Sequence, residues 1–536
     1  MATMAVDDRR EELKRTRLVI SASSVGTVFE WYDFFIYGTL AASGIIGRTF
    51  FPAGNETLQT LLAWAGFAVG FGFRPLGAIL FGYMGDRLGR KTTFLVTITL
   101  MGLATAGVGL VPSAAAVGIA APILIILLRI CQGLALGGEY GGAAIYVAEH
   151  APPGKAGFYT SFIQASVVGG FVLSLAVVLV TKSAMSADDW SAWGWRIPFL
   201  FSLLLLAVSL WMRLKLSESP VFKALKESGG YAKNPFKASF TYPGNPKRLF
   251  VALFGIAAGL TVIWYTAMFS TLSLLQNTMR VEATTAQLIV AFGALLGCGW
   301  YILFGRLSDR VGRKKPIVIG YALTLVLLFP LYWLMGSAAN PQLAVASERA
   351  PVTIERERCD FDPFAARQAD LCGQVIGELG RLGVRYRFAE SAVAESPILS
   401  VDVGGTGHII ADAAEMQPLL EQSGYRFDPV VPGPDGIAII LAALLAITCL
   451  SGMTYGPVAA LLAEMFPPQI RYSSMSIPYH FGTGYFGGFQ PFIASYIAAS
   501  TGDPYSGLWY TWGVVAMALV VTWLWLPETT AAERLD

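Results

Sequence analysis

Apolar runs of about twenty residues recur along this chain, separated by short polar or Gly/Pro-bearing segments. That length is what an α-helix needs to cross the hydrocarbon core of a bilayer. In hydrocarbon every backbone N–H and C=O must be satisfied internally, so a helix is the form such a run takes. The runs predict helices near 18–46, 57–81, 92–112, 119–148, 155–182 and 194–214, then near 248–277, 284–305, 315–337, 437–464, 471–499 and 506–526. Composition points the same way. Only 14% of residues are charged and 54% are hydrophobic, whereas soluble domains carry about 25% charge. So few charges cannot cover several water-facing domains, and the lipid bilayer becomes the solvent. A net charge of +2 gives no bulk attraction to nucleic acid.

Lys and Arg collect in alternate connections. One set comprises segment 1–17, Arg87/Arg90/Lys91, Lys155, the linker, Arg306/Arg310/Arg313/Lys314/Lys315, Arg471 and Arg534. The other short connections hold Arg48, Lys182 and Arg280. The positive-inside bias then puts both termini in the cytoplasm. The stretch after residue 17 is too long for a signal-peptide core and lacks a cleavage site, so it reads as a retained first span.

The chain repeats itself. Gly82-Tyr-Met-Gly-Asp86-Arg-Leu-Gly-Arg90-Lys91 returns 223 positions later (305 minus 82) as Gly305-Arg-Leu-Ser-Asp309-Arg-Val-Gly-Arg313-Lys314. Ala148-Glu149-His-Ala-Pro152-Pro153 returns 315 positions later (463 minus 148) as Ala463-Glu464-Met-Phe-Pro467-Pro468. Two six-helix halves account for both pairs. The mismatch between the offsets puts an insertion of about 92 residues between the third and fourth helices of the second half. The expected divisions are a cytoplasmic 1–17, a six-helix bundle 18–214, a cytoplasmic linker 215–247, helices 7–9 over 248–337, an extracytoplasmic inserted domain 338–435, helices 10–12 over 436–527 and a cytoplasmic tail 528–536. Within the insertion, Ala365–Leu382 and Ala413–Ser423 suit helices, and Val384–Phe388 and Ile398–Val403 suit strands, a small α/β module. Cys359 and Cys372 both fall there, where a disulfide is possible outside the membrane.

Six stretches carry a family resemblance: Glu30-Trp-Tyr-Asp33-Phe-Phe-Ile-Tyr37-Gly; Arg74-Pro-Leu-Gly; Arg129-Ile-Cys-Gln132-Gly-Leu-Ala-Leu-Gly-Gly-Glu139-Tyr-Gly-Gly; Gly194-Trp-Arg196-Ile-Pro-Phe; Glu218-Ser-Pro220-Val-Phe; and Tyr455-Gly-Pro457 with Glu464-Met-Phe-Pro467 and Arg471-Tyr. With them the chain resembles the metabolite:proton symporters of the major facilitator superfamily, relatives of the proline/betaine, α-ketoglutarate, citrate and shikimate carriers. The resemblance implies an all-α membrane protein of twelve transmembrane helices in two pseudo-symmetric bundles. It implies a transporter rather than an enzyme, in a bacterial cytoplasmic (inner) membrane. It says nothing about the insertion.

Charges within spans are expensive and mark function by default. Glu30 and Asp33 share one face of the first helix, with Asp33 roughly 22 Å from its inner end. Helix 4 carries Arg129 and Glu139, and Arg129 reaches the depth of Asp33. A carboxylate whose cation partner comes and goes changes its proton affinity and can carry a proton. Asp33 is the expected carrier, Arg129 its partner, and Glu30 and Glu139 are second candidates; a permanent helix 1–helix 4 ion pair is the structural alternative. Asp86, Arg90, Asp309 and Arg313, with Glu149, Glu464 and Arg471, are expected to gate the cytoplasmic side, as the resemblance implies. Substrate is expected at the midplane between the halves, near Tyr37, Gln164, Trp264, Tyr265, Tyr455 and Gln490. His480 reads as a structural histidine.

There is no Walker sequence and no Cys/His metal spacing, and Gly404–Gly407 lacks the Lys-Ser/Thr of a phosphate loop. No cofactor is expected beyond the coupling proton. The leading expectation is proton-coupled uptake of a small organic acid or zwitterion by a monomer. A sugar-porter-like carrier, an efflux carrier and a transporter-derived sensor using the insertion are the alternatives.

Overall fold

A computed structural model describes residues 24–51, 56–88, 90–138, 144–145, 147–148, 151–214, 235–356, 359–389, 399–467 and 470–528. Glu139 and Glu149 lie outside these residues, as do the side chains of Asp86 and Arg90.

The helices fall where the apolar runs predict them. They are α1 (24–42), α2 (Glu56–Gly72), α3 (Arg74–Leu88), α4 (Arg90–Leu110), α5 (Ala120–Gly137), α6 (Ala156–Ser183) and α7 (Ser202–Leu214). The second set is α8 (Asn245–Thr278), α9 (Ala283–Val311) and α10 (Lys314–Ala339). Among the described residues eight helical segments are long and apolar enough to cross a membrane, or nine if Ala187–Gly194 and Arg196–Met212, bent by 46°, form one span.

Two departures from regular helix shape the bundle interior. The helix α8 opens into π-type turns at Val251–Ala257, Thr266–Ser270 and Leu274–Thr278. Such turns re-aim side chains and often sit at functional sites. Near the chain end, a π-type turn at Gly482–Gly488 does the same. A Cβ on Gly487 would collide with Thr261, and one on Gly488 with Phe71, so these glycines let the turn press against α8 and α2. Similarly, Gly133 and Gly137 of α5 sit against the carbonyls of Gly70 and Arg74, the close approach that small residues permit between membrane helices.

The described residues between 341 and 431 form an α/β unit. Its sheet runs β2-β1-β3-β4, with β1 (Val352–Ile354), β2 (Tyr386–Phe388), β3 (Leu399–Val403) and β4 (Thr406–Ile410). β1 and β2 are parallel and the other pairs antiparallel. Between β1 and β2 runs α11 (Leu371–Leu382), whose Val375, Ile376, Leu379 and Leu382 enter the unit's own core with Val352, Ile354, Val401 and Val403. The helix begins at Leu371 rather than Ala365 because Asp370 caps it, accepting from the Gly373 N–H at 2.7 Å. Further on, α12 (Met416–Gln422) follows a 3₁₀ turn at Ala413–Glu415. Gly404 and Gly405, both at positive φ, make the tight β3–β4 hairpin turn. Cys359 and Cys372 are bonded, their Cα atoms 5.6 Å apart. After this unit come α13 (Pro434–Tyr455), α14 (Val458–Met465), α15 (Arg471–Phe481), α16 (Gln490–Thr501) and α17 (Leu508–Trp525).

Candidate functional site

The interior of the helical bundle holds charge. Arg129 is fully buried on α5. Its Nη1 donates to Gln132 Oε1 at 2.8 Å, and its Nε and Nη2 donate to the carbonyls of Gly66 and Phe67, each at 3.4 Å. The guanidinium lies 4.2 Å from the Phe34 ring centroid and 4.4 Å from that of Tyr37. Gln132 then spans back to α1: its Nε2 donates to Thr105 Oγ1 at 2.7 Å and to the Asp33 carbonyl at 3.4 Å.

The Asp33 carboxyl itself, 5% exposed, faces Ser202 of α7 and lies within electrostatic reach of Glu30. Its Oδ1 has no hydrogen-bond partner among the described residues. The direct Asp33–Arg129 pair expected from depth is therefore not formed; among the described residues no ion pair joins them. The reason is azimuth. Phe34 and Tyr37 occupy the face of α1 that meets Arg129, and Asp33 is turned toward α7. The permanent ion pair is corrected with it, and Gln132 takes the bridging position. Its spacing of three from Arg129 puts both on one helix face, the signal in the sequence that marks it.

Three of the aromatic candidates, Tyr37, Trp264 and Tyr265, gather into one layer. Trp264 stacks on Phe35 with ring centroids 5.0 Å apart, and Tyr265 stacks on Phe269 at 5.8 Å. Tyr37 lies parallel to Phe67, and a Cβ on Gly66 would collide with the Tyr37 hydroxyl. Tyr455 shares a 2.8 Å hydroxyl contact with Tyr479. Gln490 exchanges hydrogen bonds with Ser270 of α8 at 2.9 and 3.3 Å. Gln164 is fully buried on α6. Arg74, also fully buried, lies 5.2 Å from Phe71, 5.3 Å from Trp31 and 6.0 Å from Tyr479. Neither nitrogen of the buried His480 has a hydrogen-bond partner among the described residues. Phe35, Phe67 and Phe269 of the layer are not distinguishable from sequence, because an apolar aromatic in an apolar span carries no separate signal.

At one end of the bundle the two halves are locked together. Asp309 accepts from the backbone N–H groups of Gly157 and Phe158, both at 2.8 Å, and so caps the start of α6 from the other half. Arg313 is fully buried. It pairs with Asp309 at 2.8 Å, with Glu464 at 2.8 and 3.2 Å, and donates to Ser308 Oγ at 2.6 Å. Arg471 Nε donates to the Phe466 carbonyl at 3.2 Å, and Tyr472 reaches the Gly138 carbonyl at 3.2 Å across the halves. Three of the expected gating residues thus form one cluster, and Arg471 sits on the segment after it.

The opposite end holds a cavity of about 440 Å³ between α2, α8, α11 and α16, with Trp64, Phe269 and Tyr332 among its lining residues.

The Major Facilitator Superfamily model matches residues 23–347, more than half of the chain. The chain is 30% identical to the inner membrane metabolite transport protein YhjE of Escherichia coli K12 over 97% of its own length and 98% of that protein's. It is 36% identical to the shikimate transporter of the same organism over 61% of this chain and 74% of that one. A solved D-xylose–proton symporter superposes with a TM-score of 0.59 at 15% identity, covering 96% of this chain and 98% of that one, a likeness of fold. With its apolar helices, its paired halves and these relatives, the chain belongs to the major facilitator superfamily and is a membrane transporter.

Proposed function

We propose that this chain is a proton-coupled symporter that takes up a small organic acid, or a zwitterionic metabolite, by alternating access. In this reading it has twelve transmembrane helices, both termini cytoplasmic, residues 338–435 as an extracytoplasmic insertion, and acts as a monomer in a bacterial inner membrane. The observation that carries it is Asp33, a carboxyl group inside the bundle that makes no ion pair with the buried Arg129, whose guanidinium is held by Gln132 and two backbone carbonyls. A buried carboxylate is tolerated as the neutral acid or beside a cation. An Arg that can leave its carbonyl acceptors and approach Asp33 would supply the cation in one state only, coupling proton release to the change of state.

The locked end fits a closed cytoplasmic gate, and the 440 Å³ cavity an outer vestibule. The buried cations Arg74 and Arg129 beside the aromatic layer favour a carboxylate over a sugar. This agrees with the named substrate of the shikimate transporter relative.

The test is uptake into proteoliposomes of labelled shikimate, citrate, proline, betaine and xylose, with and without an inside-alkaline gradient, for wild type and Asp33→Asn. Gradient-driven uptake of one solute, lost in the variant while exchange persists, is the expected result. Uptake indifferent to the gradient sinks the coupling.

A further inference from the structure

A vestibule requires no particular chemistry, yet the lining of the cavity opposite the locked end is chemically biased. Arg48, Arg280 and Arg381 face it together with Glu56. Arg381 is already matched, donating to both carboxylate oxygens of Glu378. Arg48 and Arg280 form no ion pair among the described residues, and Glu56 and Glu378 lie within electrostatic reach of Arg280 without bonding to it. Arg48 donates only to the Ser43 carbonyl at 3.4 Å. Arg280 donates to the carbonyls of Phe427 and Arg381 at 3.3 and 2.9 Å, and its buried Nε has no partner among the described residues. Among the described residues the Trp64 indole N–H is likewise buried without a partner, and so is the carbonyl oxygen of the Gln276 side chain. Buried polar groups are nearly always paired, and here three orphans line one cavity.

Backbone geometry strengthens the case. Among the described residues Arg280 is the non-glycine residue at positive φ, 55°, a conformation that costs free energy for a residue with a Cβ. It is held there by the α/β unit: the Val430 N–H donates to the Arg280 carbonyl at 2.8 Å, and the Glu282 N–H donates to the Val430 carbonyl at 2.8 Å. The same unit brings Arg381 and the end of α11 to the cavity wall, and an Arg385–Asp503 ion pair at 2.8 Å ties it to the bundle. The site is incomplete without that unit.

We propose that this cavity is a second binding site, distinct from the buried charges below the aromatic layer, for a small hydroxylated carboxylate. Its anion is recognised by Arg280, Arg48 and the Trp64 N–H, and its hydroxyl by Gln276. About 440 Å³ lies within the 300–1,000 Å³ range of small-molecule pockets. The site does not depend on proton coupling, since equilibrium binding requires no gradient.

The experiment is calorimetric binding of shikimate and of methyl shikimate to the full chain in nanodiscs. Wild type should bind the acid at least tenfold more tightly than the ester. Arg48→Gln and Arg280→Gln should each weaken the acid about tenfold, the scale of a charge-assisted hydrogen bond. Trp64→Phe, which keeps an aromatic ring and removes the N–H, should weaken it severalfold. Arg280→Gln disturbs a strained junction and risks misfolding, so Arg48→Gln, whose one bond is to a neighbouring carbonyl, keeps the test decisive. Equal affinity for acid and ester, no binding of the acid by wild type, or an Arg48→Gln affinity equal to wild type overturns the proposal.

Discussion

The Asp309 cap is the sharpest place to test how the two halves are held. Asp309→Ala removes both acceptors of the Gly157 and Phe158 N–H groups and leaves the Arg313–Glu464 pair within the second half intact. In the locked arrangement those N–H groups lose a charged acceptor at a helix start, where negative charge is favoured. Once the halves separate, water supplies the acceptor, so this loss penalises the locked state, whereas the Asp309–Arg313 pair lies within the second half and is lost in both states. Hydrogen bonds to charged groups contribute about 1.5–3 kcal/mol each. Part is recovered by water leaking to the exposed turn, so a net of about 2–4 kcal/mol is expected for the two. That shifts the ratio of locked to unlocked protein by about 30- to 1,000-fold. Spin labels at 155 and 310, both exposed and on opposite halves, read the separation directly after the free thiols Cys131, Cys298 and Cys449 are replaced. Wild type should give a short-distance population, and Asp309→Ala should transfer most of it to longer distances. An unchanged distance distribution in a correctly inserted Asp309→Ala protein would refute the reasoning.

Other consequences are equally measurable. Gly133→Ala drives a Cβ into the Gly70 carbonyl, an overpacking that costs about 1–3 kcal/mol or more. Its thermal midpoint in detergent should fall, whereas Gly299→Ala, with no atom within 4 Å of the added carbon, should match wild type. Cys359→Ser opens a loop with a sequence separation of 13, worth about 3 kcal/mol by chain entropy; limited proteolysis should then cut the α/β unit faster, as it should in wild type under reductant. Glu282, at the start of α9, is pushed up by partial burial but drawn down further, to about 2, by hydrogen bonds from Thr284 and Thr285. Its folded value lies below its unfolded one, so its contribution is complete above the usual carboxylate range and is lost as pH falls toward 2. Glu282→Ala should cost about 1 kcal/mol near neutrality, and its stability deficit should shrink when thermal midpoints are compared from pH 5 to pH 3.

Sequence reasoning reached the helices because lipid imposes one demand, apolar length, that shows in any single run. It reached the locked end because a repeated motif put Asp309 and Arg313 at matching places in two halves. It did not reach the rotation of side chains about a helix axis. Depth along α1 follows from counting residues, but whether residue 33 or residues 34 and 37 meet Arg129 depends on packing, and Phe34 and Tyr37 occupy that face. The π-type turns of α8 have no composition signal, since their residues are as apolar as their neighbours. In the α/β unit, β1 has only three residues, too few for an alternating pattern, and β4 hides behind the glycine pair that makes its hairpin. The start of α11 is fixed by the Asp370 cap and not by the helix propensity of Ala365 and Ala366.

The two ends of the molecule are held by bonds of different strength, and that asymmetry bears on mechanism. The locked end combines a buried Arg with two carboxylates and a charged cap on α6. At the other end, the halves meet through Asn277 on the Ala42 carbonyl and Lys182 on Thr284, both at 3.3 Å, longer contacts at the margin of the bonding range. Leaving this state breaks the ionic cluster, whereas these two contacts are already made in it and add nothing further when the opposite end closes. That cost, a few kcal/mol by the cap alone, has to be offset elsewhere. In the proposed mechanism the offset comes from binding energy at the aromatic layer and from the charge that Asp33 carries when Arg129 approaches. A carrier held this way should rest facing outward when empty and turn inward only when both substrate and proton are aboard. That ordering is what prevents a symporter from leaking protons, and under the proposed mechanism Asp309→Ala should raise proton leak in the absence of substrate.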